Sequence, residues 1–319
     1  MGHDAGGDVL LVGPGWLGAP AAVALAAASP TRRVFTASRS DRQAPVGCQA
    51  LTADVTRGMA DPAFARAVTA PLSAVVVCVA PSRARGDSYA VYPAAARGAA
   101  AIAEALGAEA LVYISSTGVY DRHDGSAVDE RTLIAPASER VRALFDAELT
   151  VLAAAAAGCR ATVLRAAGLY GPGRDPGPRF AAGSVEPESW CNFSWRDDVI
   201  AAMRHVLTLP ATHGGTIYNC TDNTPVQAGA ITHALTGLPA GAAETLVDDG
   251  TVRAGRSNQR ISSAALLATG WRPTMPTVFD GLRALGHPLP GHPLPGHPLP
   301  GHPLPGHPLP GHPLPGHPT

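Results

Sequence analysis

Three glycines in Gly13-Pro14-Gly15-Trp16-Leu17-Gly18 stand at the spacing G-x-G-x-x-G, which lets a backbone turn sharply and come close to a diphosphate. Gly13 would permit the tight turn, Gly15 the close approach of the pyrophosphate, and Gly18 the packing of a following helix on a strand. Trp16 and Leu17 complete the loop and are counted with it. A helix opening here would offer free N–H groups and the positive end of its dipole to phosphate. About 20 residues further on, a dinucleotide site for NAD would carry an acidic residue for the ribose 2′-hydroxyl. That place holds Ser38 and Arg39 instead. A small hydroxyl beside a guanidinium suits a 2′-phosphate, which predicts NADP over NAD; the competing reading makes Arg39 a surface residue neutralised by Asp41. Asp54 is placed either to accept from the adenine amino group or to cap a helix.

The composition narrows the chemistry further. All 24 basic residues are arginine and the chain contains no lysine, which excludes a Schiff base, a P-loop phosphate ligand and a tyrosine-activating ammonium. A formal net charge of −1 and only 15% charged residues leave no basic footprint for nucleic acid or an anionic membrane. Five cysteines without a C-x-x-C pair argue against a disulfide framework and a zinc site, so no metal is expected. The N-terminus lacks a basic region ahead of its short apolar run and reads as a first strand rather than a signal peptide. A soluble, cytoplasmic protein is the expectation.

The elements that must hold the glycine loop are legible in the first half. Apolar runs at Val9–Val12, Arg33–Ala37, Gln49–Leu51, Ala74–Val79, Ala110–Ser115 and Ala161–Arg165 alternate with alanine-rich helical stretches. The helices fall at Ala19–Ala28, Tyr92–Leu106 and Glu139–Ala156. Continuous apolar strands separated by helices of this length predict an α/β doubly wound parallel sheet. A helix over Asp197–Leu207 and a strand at Thr216–Cys220 return to it. The predicted division is a dinucleotide-binding unit over 7–167 plus about 193–222 and a small substrate lobe over 168–192 plus 223–285. From Gly286 the unit Gly-His-Pro-Leu-Pro occurs six times. Proline at two positions in five predicts a disordered tail over 286–319.

Taken in order, several segments resemble the extended short-chain dehydrogenase/reductases, which include NAD-dependent epimerases and dehydratases. They are the glycine loop, Asp54, the strand end Val77-Cys78-Val79-Ala80-Pro81, and Tyr113-Ile114-Ser115-Ser116-Thr117-Gly118-Val119-Tyr120. Leu164-Arg165, Tyr170-Gly171-Pro172-Gly173-Arg174, Asn192 with Asp197-Asp198-Val199, Ile217-Tyr218-Asn219, and Ala268-Thr269-Gly270-Trp271-Arg272-Pro273 follow. The resemblance implies that Val79 and Ala80 line the cofactor site and that Ser116 hydrogen-bonds a substrate oxygen. It also implies a Tyr-x-x-x-Lys pair on the next helix, where the expected positions hold Ser138 and Arg142. Arg142 keeps a charge for the nicotinamide ribose but does not relay protons, and Ser138 is a poor acid without a base. Tyr120 is the best remaining phenol, with core packing as its other reading. The loop Arg83 to Tyr89 is read either as a solvated loop, the favoured reading, or as a gate to the pocket near the nicotinamide whose arginines meet an anionic substrate.

Two functions follow from these readings. One is an NADP-dependent oxidoreductase or epimerase acting on a small carbonyl or sugar-like substrate. The other is an NADP-binding sensor or interaction protein with little turnover, which loss of the Tyr–Lys pair favours. The expected partners are a small-molecule substrate and a second copy of the chain in a homodimer, with neither nucleic acid nor membrane.

Overall fold

Strands that are apolar at every position require cover on both faces, and the chain provides it. The computed structural model describes residues 7–68, 71–238 and 257–290. Its first half runs β1 (Asp8–Val12), α1 (Gly18–Ala27), β2 (Val34–Ser38), β3 (Gln49–Thr52), α2 (Pro62–Ala67), β4 (Leu72–Val77), α3 (Val91–Ala105) and β5 (Ala110–Ser116). A short β6 (Ser126–Val128) precedes α4 (Glu139–Ala153) and β7 (Arg160–Ala166). Seven strands form one parallel sheet in the order β11-β7-β5-β4-β1-β2-β3, with β11 at Thr216–Cys220. The order reverses beside β1, so the crevice of a doubly wound sheet opens above the C-terminal end of that strand.

Strand residues alternate between the two cores, as a period of two demands. Val9, Leu11, Ala74, Val76, Ala110 and Val112 pack on one face with Ala21, Ala22 and Leu25 of α1. Leu10, Val12, Val75, Val77, Leu111 and Tyr113 pack on the other with Ala95, Ala99 and Ile102 of α3. Small residues on these helices let their backbones lie close to the sheet. The fold class read from the sequence is the one observed, with strand ends shifted by one or two residues.

Beyond β7 the elements are short. They are β8 (Gly168–Tyr170), α5 (Gly177–Ala181), β9 (Trp190–Cys191), β10 (Phe193–Trp195), α6 (Arg196–Thr208), β12 (Val226–Gln227) and α7 (Ala228–Thr236). β13 (Gln259–Ile261), α8 (Ala264–Ala268) and α9 (Val278–Ala284) complete the described chain. α6 packs on the sheet through Val199, Met203 and Val206. Tyr170, Phe180, Phe193, Trp195, Ile231 and Phe279 form a separate core. Leu289, inside the first Gly-His-Pro-Leu-Pro unit, is buried in that core, and His287 lies 2.8 Å from Asp175 Oδ2. This unit therefore belongs to the folded body, because α9 delivers its leucine directly onto apolar neighbours. The tail expected to be disordered otherwise lies outside the described residues.

Asp222 sits in this part of the molecule, buried, with Oδ2 lacking a hydrogen-bond partner among the described residues. Burial pushes its carboxyl up to about 8; the Thr224 N–H opposes this while the charges of Asp198 and Asp280 add to it. The folded state thus keeps a proton that the unfolded chain gives up near the ordinary carboxylate value of about 4. Its contribution to stability is full below that value and is lost as pH rises toward 8. Asp222→Asn keeps an acceptor for Thr224 and stays neutral, so the variant should show a flatter decline in melting temperature between pH 4 and 9. Parallel profiles for the two proteins would contradict this.

No helix among the described residues is long and apolar enough to cross a membrane. Among the same residues no group of three or more His, Cys, Asp or Glu side chains is arranged to hold a metal ion.

Candidate functional site

The glycine loop leaves β1 through Gly13, whose φ of 86° is open to glycine at little cost. A Cβ there would meet the Cys78 carbonyl oxygen at 2.6 Å, and one on Gly18 would meet the Gly13 carbonyl oxygen at 2.2 Å. Both glycines are needed for the turn and for seating α1 against it. Gly15 differs, since a Cβ there would find nothing within 4 Å. The backbone at Gly15 therefore faces open space at the head of a helix whose first turn carries no acidic side chain.

That space is a crevice of about 580 Å³ at the C-terminal ends of the strands. Its walls include Gly13, Gly15, Trp16, Leu17, Gly18, Ser38, Arg39, Asp54, Val79, Ala80 and Ser116. Arg39, Arg42, Arg85 and Arg174 line it against one carboxylate, Asp54. Even with Asp87 paired to Arg39, the crevice is positive in a chain of net charge −1, as a polyanionic ligand requires. A second hollow, of about 760 Å³, lies at the opposite end of the sheet, where Ser73, Glu109 and Arg160 stand at the N-terminal ends of the strands. It has neither the glycine loop nor the strand C-termini at which such folds bind ligands.

Arg39 is held by Asp87, with its two terminal nitrogens 3.0 and 2.7 Å from the two carboxylate oxygens. Its partner is thus Asp87 and not Asp41. The guanidinium and the Ser82 N–H hold the Asp87 carboxyl down at about 2. Arg85 donates to Ser40 Oγ at 2.9 Å. The 83–89 loop is therefore fastened to the end of β2, through Asp87 to Arg39 and Arg85 to Ser40. Asp54 Oδ1 accepts from the Thr56 N–H at 3.0 Å and the Thr56 hydroxyl at 2.8 Å, so it caps the short helical turn Val55–Ala60 while lining the crevice.

Trp16 anchors the loop from the other side. Its indole N–H donates to the Pro172 carbonyl at 2.9 Å, and Arg174 and Arg196 stack over its ring at 4.3 and 5.4 Å from the centroid. Tyr170, four residues before Arg174, is buried edge-on between Phe193 and Trp195. It is a core residue.

The residues expected to carry proton chemistry separate into two groups. Ser116 lies on the crevice wall, and its Oγ accepts from the Gly118 N–H at 3.1 Å, which leaves its own proton to donate. Tyr120 is buried away from that wall. Its hydroxyl donates to Asn219 Oδ1 and accepts from the Arg165 guanidinium, both at 2.8 Å. Burial pushes its phenol up to about 12 in spite of Arg165, so the packing reading of Tyr120 describes what is seen. Ser138 is the exposed N-cap of α4, accepting from the Val141 N–H at 3.2 Å. Arg142 is exposed and donates to the Pro136 carbonyl at 3.3 Å. Neither reaches the crevice.

The stripe of α4 that faces the sheet runs instead through Arg140, Leu144, Glu148 and Val151. Leu144 lines the crevice, and the Arg140 guanidinium lies against Gly118. The expected pair positions are therefore two residues out of register. A serine just ahead of the apolar positions Val141, Leu144 and Val151 carries the N-cap signature, which was the available signal. Cys78 and Tyr92 also line the crevice; burial pushes the Cys78 thiol up to about 12, out of the range of a thiolate nucleophile.

Comparison with known proteins agrees with this architecture. Residues 9–221 match the NAD dependent epimerase/dehydratase family. Protein YeeZ of Escherichia coli is 41% identical over 113 residues, a stretch that covers 34% of this chain and 38% of that protein. A Methylobacillus flagellatus structure that carries the NAD-dependent epimerase/dehydratase label is 27% identical, with TM-score 0.67 over 88% of this chain and 97% of the other. An Agrobacterium tumefaciens short-chain dehydrogenase/reductase superfamily structure with bound NAD shares the fold at 19% identity, TM-score 0.68, over 87% and 95% of the two chains.

Proposed function

The chain belongs to the NAD dependent epimerase/dehydratase family, and from that premise we propose that it binds NADP and acts with it on a small carbonyl or sugar-like substrate. The observation that carries the reading is the crevice itself, where a glycine loop open at Gly15 faces four arginines and one carboxylate. The residues present fit the cofactor. The backbone N–H groups of the glycine loop and the first turn of α1 would hold the diphosphate. Ser38 and Arg39, with Arg42 and Arg85 beside them, would take a 2′-phosphate, and Asp54 has a second carboxylate oxygen to offer an adenine amino group. When bound, the nicotinamide supplies a hydride donor or acceptor. Ser116 would donate its hydroxyl proton to the substrate oxygen and so polarise it.

Specificity rests on a competition at Arg39. A 2′-phosphate must take the guanidinium from Asp87, or share it, before charge-assisted bonds worth about 1–3 kcal/mol favour NADPH over NADH. NADPH should bind more tightly than NADH to the wild type, and Arg39→Ala should remove most of the difference. Asp87→Asn should widen it. Titration of both cofactors into the three proteins checks this, and equal affinities in the wild type would overturn the NADP assignment.

The absence of any lysine and the place of Leu144 on the crevice wall favour a second reading, a dinucleotide-binding protein with little turnover. A chain that binds NADPH but oxidises it with no member of a panel of aldehydes, ketones and nucleotide sugars would support that reading over the enzyme.

A further inference from the structure

Arg140 occupies the first turn of α4, one turn ahead of Leu144 on the stripe that faces the sheet. Leu144 and Ser116 both line the crevice; Arg140 is not itself among the lining residues and stands next to them, one turn from Leu144. The Arg140 guanidinium lies over Gly118, two residues beyond Ser116, so close that a Cβ on Gly118 would stand 2.7 Å from each of its terminal nitrogens. The side chain is partly buried and has neither a hydrogen bond nor an ion pair among the described residues. Arg33, Arg39 and Arg165, by contrast, are each bound to a carboxylate.

Among the described residues no carboxylate pairs with this cation, although Glu139 shares the first turn. A cation in the first turn of a helix opposes the helix dipole, which favours negative charge there. Partial burial removes some of its water, and nothing in the described chain replaces those contacts. The side chain loses this penalty when an anion arrives. A guanidinium offers two parallel donors, the geometry that matches a carboxylate, and one cation balances one negative charge.

We propose that Arg140 recognises a carboxylate on the substrate, held beside the oxygen that Ser116 addresses. The substrate class is then a carbonyl or hydroxyl compound that carries a carboxylate close to the reacting carbon. This rests on the proposed use of the crevice for NADP and substrate, and it adds the substrate's charge and the residue that reads it.

The test is calorimetric and needs no turnover. The full chain, with and without saturating NADP+, is titrated with benzoylformate and with its methyl ester, which differ by one charge. The acid should bind roughly tenfold or more tightly than the ester, the scale of a charge-assisted pair. Arg140→Gln should abolish that preference while changing NADP+ affinity by less than about twofold, and Arg140→Lys should restore part of it. Gly118→Ala, whose added methyl pushes the guanidinium aside, should reduce the preference in the same way. Equal binding of acid and ester, or a preference that survives Arg140→Gln, overturns the inference. Failure of NADP+ to bind would instead overturn the cofactor assignment, and the charge preference is still read on the free chain.

Discussion

With Glu148 left in place, Arg165→Met is expected to lower the stability of the chain by about 3–5 kcal/mol. Both side chains are 1% exposed. Arg165 donates through Nε at 3.0 Å to Glu148 Oε1 and through a terminal nitrogen at 2.6 Å to Oε2. Ser115 adds a hydroxyl bond to the same carboxylate at 2.6 Å. Removing the arginine leaves a buried anion with one neutral donor, and it also takes a partner from the Tyr120 hydroxyl. Replacing both charges, as in Arg165→Met with Glu148→Leu, should recover most of the loss, because apolar packing of similar volume replaces buried ion pairs at little cost. Urea unfolding of the two single variants and the double variant measures the coupling. A single variant within about 1 kcal/mol of the wild type would show that the pair is not buried as described.

The second large effect belongs to the glycine loop. Gly18→Ala puts a methyl group 2.2 Å from a backbone carbonyl oxygen that has little freedom to retreat, and 3.1 Å from Leu11 Cδ2. The start of α1 must then move off β1. Overpacking of this kind costs about 1–3 kcal/mol, and dinucleotide affinity should fall at least about 100-fold, since on the proposed reading the diphosphate would be held by the backbone that moves. Gly15→Ala provides the contrast. Its methyl meets no protein atom within 4 Å, so the melting temperature should stay within about 2 °C of the wild type while affinity still falls. A methyl group at Gly15 obstructs only a ligand. Thermal unfolding and cofactor titration on the two variants separate the roles. Equal loss of stability in both would contradict the distinction.

The sheet was legible because its evidence is local. Val9–Val12 and Ala110–Ser115 are apolar at consecutive positions, which only a sheet covered on both faces accommodates, and the glycine spacing directly follows the first of them. The site was legible as far as its backbone determines it. Side chains fixed by distant partners were not. Tyr120 looks like a loop phenol until Arg165 and Asn219, 45 and 99 residues away, close on its hydroxyl. Asp87 lies 48 residues from Arg39, beyond any spacing argument, whereas Asp41 stands two residues from it in the chain. The register of α4 was within reach: a serine ahead of a 3.6-residue apolar period is a cap, and the period then places Arg140 and Leu144 toward the sheet. The two-residue and three-residue strands β8, β9, β10 and β12 carry too few side chains to show a period. Leu289 was hidden by the repeat around it, whose composition says nothing about what α9 brings to its first unit.

On the proposed reading the crevice above β1 holds a nicotinamide dinucleotide on the glycine loop. Titration of the full chain with NADPH, followed by calorimetry beside Gly15→Ala, tests it most directly. Saturable binding of one NADPH per chain is expected in the wild type, with a large loss of affinity in a Gly15→Ala protein that remains folded. Absence of saturable binding, or unchanged affinity in Gly15→Ala, would contradict it.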